Sequence, residues 1–251
     1  NYLYRLIAGE GQSPGHFERV DGEHLRSVLG IAPAGERLLV ASAGLHEWRP
    51  DGGAARELLA RATTVSLTPS AHVPGRYWLG PQHGLGRPGP GGEGKPVPTA
   101  MPIDWPVWMA LETDASTLWL ADSGGRLARL SLDSDPPRLR EYGASDGMPG
   151  GAVKIYSRHG GGLWLTTNAG VMEYDAAGDR IRSATQLPIE LRSGRVFAML
   201  DDADGNLWLR GDNLDAVAWR RGDDFEIDRT LLSTLSTKPT TYAFLREADV
   251  V

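Results

Sequence analysis

The chain has 251 residues, of which 41% are hydrophobic and 23% charged, with 32 glycines, 17 prolines and no cysteine; this excludes disordered and fibrous classes and leaves a globular, turn-rich protein. Its 26 Lys and Arg against 32 Asp and Glu give a net charge of −6, so it carries no electrostatic footprint for a nucleic-acid backbone. The lack of cysteine removes disulfides, thiolate metal sites and thiol nucleophiles, and no run approaches the ~18 consecutive apolar residues of a membrane-spanning helix.

In chain order the sequence reads as strands. Asn1 to Leu6 and Phe17 to Val20 match the third and fourth strands of a repeat. Leu38-Leu39-Val40-Ala41 follows, an apolar strand with Leu39 in the slot that tryptophan fills later. Ala54 to Arg61 comes nearest to a helical pattern, yet it is short enough to be an outer strand with its turn. Tyr77-Trp78-Leu79-Gly80 is the next aromatic strand, and the Gly- and Pro-rich stretch Gly86 to Pro98 reads as a protruding low-complexity loop with no counterpart elsewhere. Leu118-Trp119-Leu120-Ala121 is followed by strands at Leu127 to Leu130 and Leu139 to Tyr142, and Leu163-Trp164-Leu165-Thr166 by one at Gly170 to Tyr174. The last full copy runs from Val196 to Leu200 through the turn Asp201 to Asn206 and Leu207-Trp208-Leu209-Arg210 to Phe225-Glu226-Ile227-Asp228. Tyr242 to Asp249 then matches a first strand with its turn.

Positions 39, 78, 119, 164 and 208 lie 39, 41, 45 and 44 residues apart, within the ~40–50 residue period of propeller blades. Four strands per period, the inner most apolar and the outer most polar, predict an all-β protein: a β-propeller of four-stranded antiparallel blades. About six repeats are visible, in a ring expected to have six or seven blades. Residues 1–251 are expected to form a single propeller domain or part of one, beginning and ending inside a blade, and the phase of both ends favours a piece of a longer array. An open sheet edge at such an end seeks a partner, so a homodimer or an open arc is expected.

One copy is specific enough to place the repeat in a family. Glu141-Tyr142-Gly143-Ala144-Ser145-Asp146-Gly147-Met148-Pro149, followed by Val153-Lys154-Ile155, Gly162-Leu163-Trp164-Leu165-Thr166-Thr167 and Gly170-Val171, resembles the repeat of the two-component regulator propeller family. The shared pattern is an outer-strand aromatic, a Gly-hydrophobic-Pro turn, an inner strand, Leu-Trp-hydrophobic-Gly-Thr and Gly-Leu before the third strand. The resemblance covers the chain, best from about Arg138 to Trp219 and least from Gly80 to Pro106. The Gly-Thr pair stands as Gly80-Pro81, Ala121-Asp122, Thr166-Thr167 and Arg210-Gly211, so that element of the motif is degenerate. The resemblance implies an extracytoplasmic ligand-sensing module of a bacterial inner-membrane receptor. In that family a small β-sandwich, a transmembrane helix and a cytoplasmic histidine kinase or diguanylate cyclase follow the propeller.

Chemistry-bearing motifs are sparse. The tryptophans at 78, 119, 164 and 208 recur once per period inside a strand, which assigns them to the wedge between neighbouring sheets rather than to a sugar-stacking platform. Asp201 to Asn206 has the acidic run of a calcium loop, but Asp212 stands where a bidentate Glu is needed, so it reads as an Asp-Gly turn. The histidines at 16, 24, 46, 72, 83 and 159 show no metal-ligand spacing, so no catalytic residue, metal or cofactor is assigned. Propellers commonly bind ligands on the face made by second-to-third-strand loops and blade connectors. Those loops supply His83, Asp122, Asn168, Asp212 and Asn213, and the connectors supply Trp105, beside Asp104, and Asp146 to Pro149. A rim of aromatic, acidic and amide groups suits a neutral polyhydroxy ligand, a small molecule or oligosaccharide. The expected function is a non-catalytic, periplasmic ligand-sensing module with no nucleic-acid partner and no membrane contact of its own. Alternatives on the same scaffold are a metal-dependent lyase or lactonase and a protein-binding propeller.

Overall fold

Alternating apolar and polar residues in runs of four to seven, separated by Gly and Asp turns, can satisfy their backbone only by pairing side by side, and this governs the architecture. The computed structural model describes residues 4–7, 16–19, 28, 30–42, 44–49, 55–59, 64–81, 86–87, 97–98, 103–212 and 214–232. Strands β1 (Tyr4–Ile7) and β2 (His16–Arg19) form an antiparallel pair. Five four-stranded sheets follow, each ordered as the chain runs. The first holds β3 (Gly30–Ala34), β4 (Arg37–Ala41), β5 (Leu45–Trp48) and β6 (Arg56–Leu59), and the second β7 (Thr64–Pro69), β8 (Tyr77–Pro81), β9 (Gly86–Arg87) and β10 (Val97–Pro98). The third holds β11 (Met109–Asp114), β12 (Thr117–Ala121), β13 (Leu127–Ser131) and β14 (Arg138–Tyr142). The fourth comprises β15 (Val153–Ser157), β16 (Leu163–Thr167), β17 (Gly170–Asp175) and β18 (Arg180–Ser183). The fifth comprises β19 (Val196–Asp201), β20 (Leu207–Gly211), β21 (Asp215–Arg221) and β22 (Asp224–Asp228). A single-turn helix, α1 (Ile189–Arg192), interrupts the connection from β18 to β19.

The protein is therefore an all-β propeller with four-stranded antiparallel blades. The expected third and fourth strands at the N-terminus are β1 and β2, and the stretch with weak helical pattern contains β6. The stretch Gly86 to Pro98 differs from expectation. Its two ends are β9 and β10, paired Val97 to Arg87 and Pro98 to Gly86 as the outer strands of the second blade. Backbone pairing needs no apolar side chain, and an outer edge tolerates proline, so composition hid these strands. The expected first strand at Tyr242 to Asp249 lies outside the described residues.

The chain divides into two units, Asn1–Ser116 with Ser131–Leu139, and Thr117–Leu130 with Arg140–Val251. In the first, Ala32, Leu39, Ala41 and Leu45 of one blade pack on Leu67, Tyr77 and Leu79 of the next. In the second, Trp164 and Val171 of the fourth blade pack on Val196, Met199, Leu207 and Leu209 of the fifth, with Leu187 and Leu191 of the connector closing the cluster. Each core is thus a layer between adjacent sheets, filled by the inward residues of both. Trp78, Trp119 and Trp164 are buried, Trp164 within the second of these layers, whereas Trp208 is half-buried and meets Trp219 of its own sheet edge-on at 5.9 Å.

Candidate functional site

Glycines set the loop face. A Cβ on Gly80, at the end of β8, would stand 1.9 Å from the carbonyl oxygen of Val107 in the connector to β11. Gly125, at φ +102°, bears on the carbonyl of Gly151 at 2.0 Å, and Gly211 on that of Arg195 at 2.3 Å. Gly170, at φ +108°, lies against the backbone of Arg192 at 2.4 Å. In the second to fifth blades the second-to-third-strand turn therefore touches a segment connecting blades, with backbone against backbone and no room for a side chain. In the second unit this strings together the Asp122 turn, Gly151 with the neighbouring Asn168 side chain, the Arg192 to Arg195 segment and Asp212, whose N–H bonds the Arg195 carbonyl at 3.2 Å.

Among the residues expected to bind ligand, Asn168 and Asp212 are exposed on this face. Asp122 is half-buried, and its Oδ1 accepts the N–H groups of Gly124 (2.8 Å) and Arg126 (2.7 Å), so it closes its own turn. Trp105, in the first unit, is only 3% exposed, which leaves almost none of its ring to a ligand. Asp146 accepts the N–H of Gly143 at 2.9 Å and pairs with Arg140 at 2.9 Å. His83 and Asn213 lie outside the described residues.

The opposite ends of the blades carry a pattern that sequence reasoning missed. The Trp78 indole N–H donates to Glu112 Oε1 on β11 at 2.6 Å, while Ser70 Oγ (2.6 Å) and the Ala71 N–H (3.0 Å) donate to Oε2. Trp164 repeats this two blades along: its indole N–H and the His159 N–H both donate to Asp201 Oδ2 at 2.7 Å. Glu112 and Asp201 each stand seven residues before the next blade's tryptophan, a spacing readable in the sequence. Trp208 instead donates to Asp202 of its own hairpin at 3.0 Å. Burial works to raise the Asp202 pKa, but the donors Trp208, Asn206 and Asp204 outweigh it and hold the carboxyl below its ordinary value.

Trp119 is packed differently. Its ring meets Tyr174 at 4.7 Å and Tyr142 at 5.2 Å, and both hydroxyls donate to Asp179 Oδ1, at 2.8 and 2.7 Å. Asp179 also pairs with Arg129 (3.1 Å) and Arg140 (2.7 Å), and it holds φ +46°, the left-handed conformation that acidic and amide residues tolerate best among residues with a Cβ. The Tyr142 hydroxyl, opposed by slight burial and helped by Tyr174 and the arginines, holds this carboxyl below its usual range.

Between the fourth and fifth blades, within the second unit, lies a groove of about 330 Å³. Its walls include Arg158 and His159 from the β15–β16 turn, Trp164, Asp201, Arg220 and Phe225. Arg158 lies 4.6 Å from the Trp164 ring centre and pairs with buried Glu173 at 2.9 Å. Among the described residues no group of three or more His, Asp or Glu is placed to hold a metal ion, and no helix is long and apolar enough to cross a membrane.

No protein-family model and no curated protein matches the sequence. Solved structures do match the fold. The extracellular domain of the B. thetaiotaomicron protein assigned as hybrid two-component system BT3049 is 16% identical with a TM-score of 0.62, over 85% of this chain and 31% of that one. The extracellular domain assigned to the one-component system BT4673 of the same organism is 12% identical at 0.65, over 90% and 29% respectively. The WD40 β-propeller domain of Doa1 is 12% identical at 0.55, over 78% and 65%. The chain thus spans about a third of the receptor domains it resembles. The chain has the β-propeller fold, with receptor extracellular domains among its neighbours, consistent with the two-component regulator propeller pattern of its repeats.

Proposed function

We propose that the chain is a non-catalytic, ligand-sensing propeller module of a membrane-bound bacterial signal-transduction receptor, on the periplasmic side, binding a small molecule or glycan. The observation that carries this reading is the fold likeness, over 85–90% of the chain, to the extracellular domains of two receptor systems. The family pattern from Glu141 to Val171 supports it independently of the fold. Physically, such a module needs a ligand that discriminates between two receptor states, and the stacked interfaces between blades are the surfaces a ligand could bias.

The test is the native product. An antibody raised against this chain, applied to soluble and membrane fractions, is expected to detect a membrane-bound polypeptide much larger than the chain. A soluble product of the chain's own size would overturn the receptor reading. With a membrane-bound product in hand, thermal-shift screening against oligosaccharides is expected to raise the melting temperature of the chain for at least one of them.

A further inference from the structure

The groove between the fourth and fifth blades carries chemistry that the loop face does not. Arg220, on β21, donates its Nε–H to the Gly222 carbonyl at 3.0 Å, which fixes the plane of the guanidinium. It is in no ion pair among the described residues, whereas Arg158 across the groove is matched by Glu173. Arg220 Nη1 and His159 Cδ2 lie 2.9 and 3.3 Å from the point where a Cβ on Gly205 would stand. Two nitrogen-rich side chains from successive blades therefore converge over one glycine, at φ +77°. A held guanidinium fork with unpaired outer amino groups is the geometry that receives a carboxylate in two parallel hydrogen bonds.

The rest of the wall has a different character. Gln186 gives its Nε2 to Glu173 Oε2 at 2.8 Å, so its carbonyl oxygen is left as an acceptor. Asp223 is exposed at the β21–β22 hairpin, and Phe225 offers a half-buried ring. Asp201, also in the wall, spends its Oδ2 on the indole and on the His159 N–H, and its Oδ1 is buried without a hydrogen-bond partner. A volume of about 330 Å³ stands at the small end of the ~300–1,000 Å³ range of ligand sites, the scale of one sugar ring.

We propose that this groove binds a small hydroxylated carboxylate of sugar-acid type, its carboxylate on Arg220 and His159, its hydroxyls on Asp223 and the Gln186 carbonyl, and its carbon face against Phe225. The proposal rests on the ligand-sensing reading and names a site for it away from the loop face. Calorimetric titration of the chain with glucuronate, glucose and acetate tests it. Glucuronate is expected to bind at least about tenfold tighter than glucose, which lacks the carboxylate, and than acetate, which lacks the hydroxyls. Arg220→Gln is expected to lose about tenfold in glucuronate affinity, whereas Arg221→Gln, on the same hairpin but turned to Glu226 at 3.0 Å, stays within about twofold.

Glucose binding as tightly as glucuronate, acetate binding as tightly as glucuronate, or an unchanged affinity in Arg220→Gln would each overturn the proposal. The urea midpoint of each variant, measured alongside, separates lost binding from lost fold. A melting-temperature rise with a neutral oligosaccharide that survives Arg220→Gln would leave the sensing reading standing and remove this groove from it. Glucuronate binding by a chain whose native product is soluble and unattached would do the reverse.

Discussion

A buried indole N–H left without an acceptor costs about 1–3 kcal/mol, and at Trp78 and Trp164 the acceptor is a carboxylate on the next sheet. Glu112→Ala removes the acceptor of three donors at once, and we expect a loss of about 2–4 kcal/mol, read as a lower urea midpoint. Glu112→Gln keeps an oxygen for the indole and is expected to cost about 1 kcal/mol; an unchanged midpoint for Glu112→Ala would refute the stabilising role of this contact. Asp179→Asn, at a side chain 40% exposed, is expected to cost only about 1 kcal/mol after solvent screening, because Asn keeps the left-handed backbone while losing the charge. Burial of Trp78, Trp119 and Trp164 was legible from one position per period, whereas Trp208 at the same position is half-buried. The carboxylates were less so, because Ala71 and Ser157 occupy the same offset before Trp78 and Trp164 and dilute the signal.

Strands and their turns are held by how closely backbones approach. Gly80→Ala is expected to destabilise by about 1–3 kcal/mol or more, since its new methyl would stand 1.9 Å from the Val107 carbonyl, which must move. Gly143→Ala is the control: its φ is −124° with nothing within 4 Å of the added methyl, and it is expected to stay within about 0.5 kcal/mol. Equal midpoints for the two variants would refute the packing of turns on connectors. The strand assignments from Leu118 to Asp228 were readable because alternation and Asp-Gly turns are local properties of the chain. β9 and β10 were not, because two-residue strands at an outer edge have no periodicity to show.

At the scale of the whole molecule the titrating groups predict where stability falls with pH. Asp179, through the Tyr142 hydroxyl, and Asp202, through donors that outweigh burial, have folded pKa values below the ordinary carboxylate range of about 3.9. Their contribution is intact above that value and is lost as pH falls through the folded ones. Burial pushes the Tyr156 hydroxyl up to about 12, and burial also raises Tyr142 and Tyr174. Their contribution is intact below the ordinary tyrosine value of about 10 and is lost as pH rises through the folded values. Lys154, lowered by burial and then by Arg195, works against the alkaline loss because folding becomes easier as it discharges. A melting-temperature profile flat from about pH 5 to 9 and falling on both sides is expected, with the alkaline fall reduced in Tyr156→Phe; a profile still flat at pH 11 would contradict it.

The amino-acid sequence by itself determined the period, the blade, most of the strands and the burial of Trp78, Trp119 and Trp164. These follow from alternation along one stretch of chain, and every copy restates them. Only the tertiary structure decided which residues of separate copies meet: Glu112 under Trp78, Asp179 between two tyrosines, Arg220 beside His159 over Gly205. Such meetings depend on side chains from adjacent sheets reaching the same point. No spacing within a single copy records where those sheets come together.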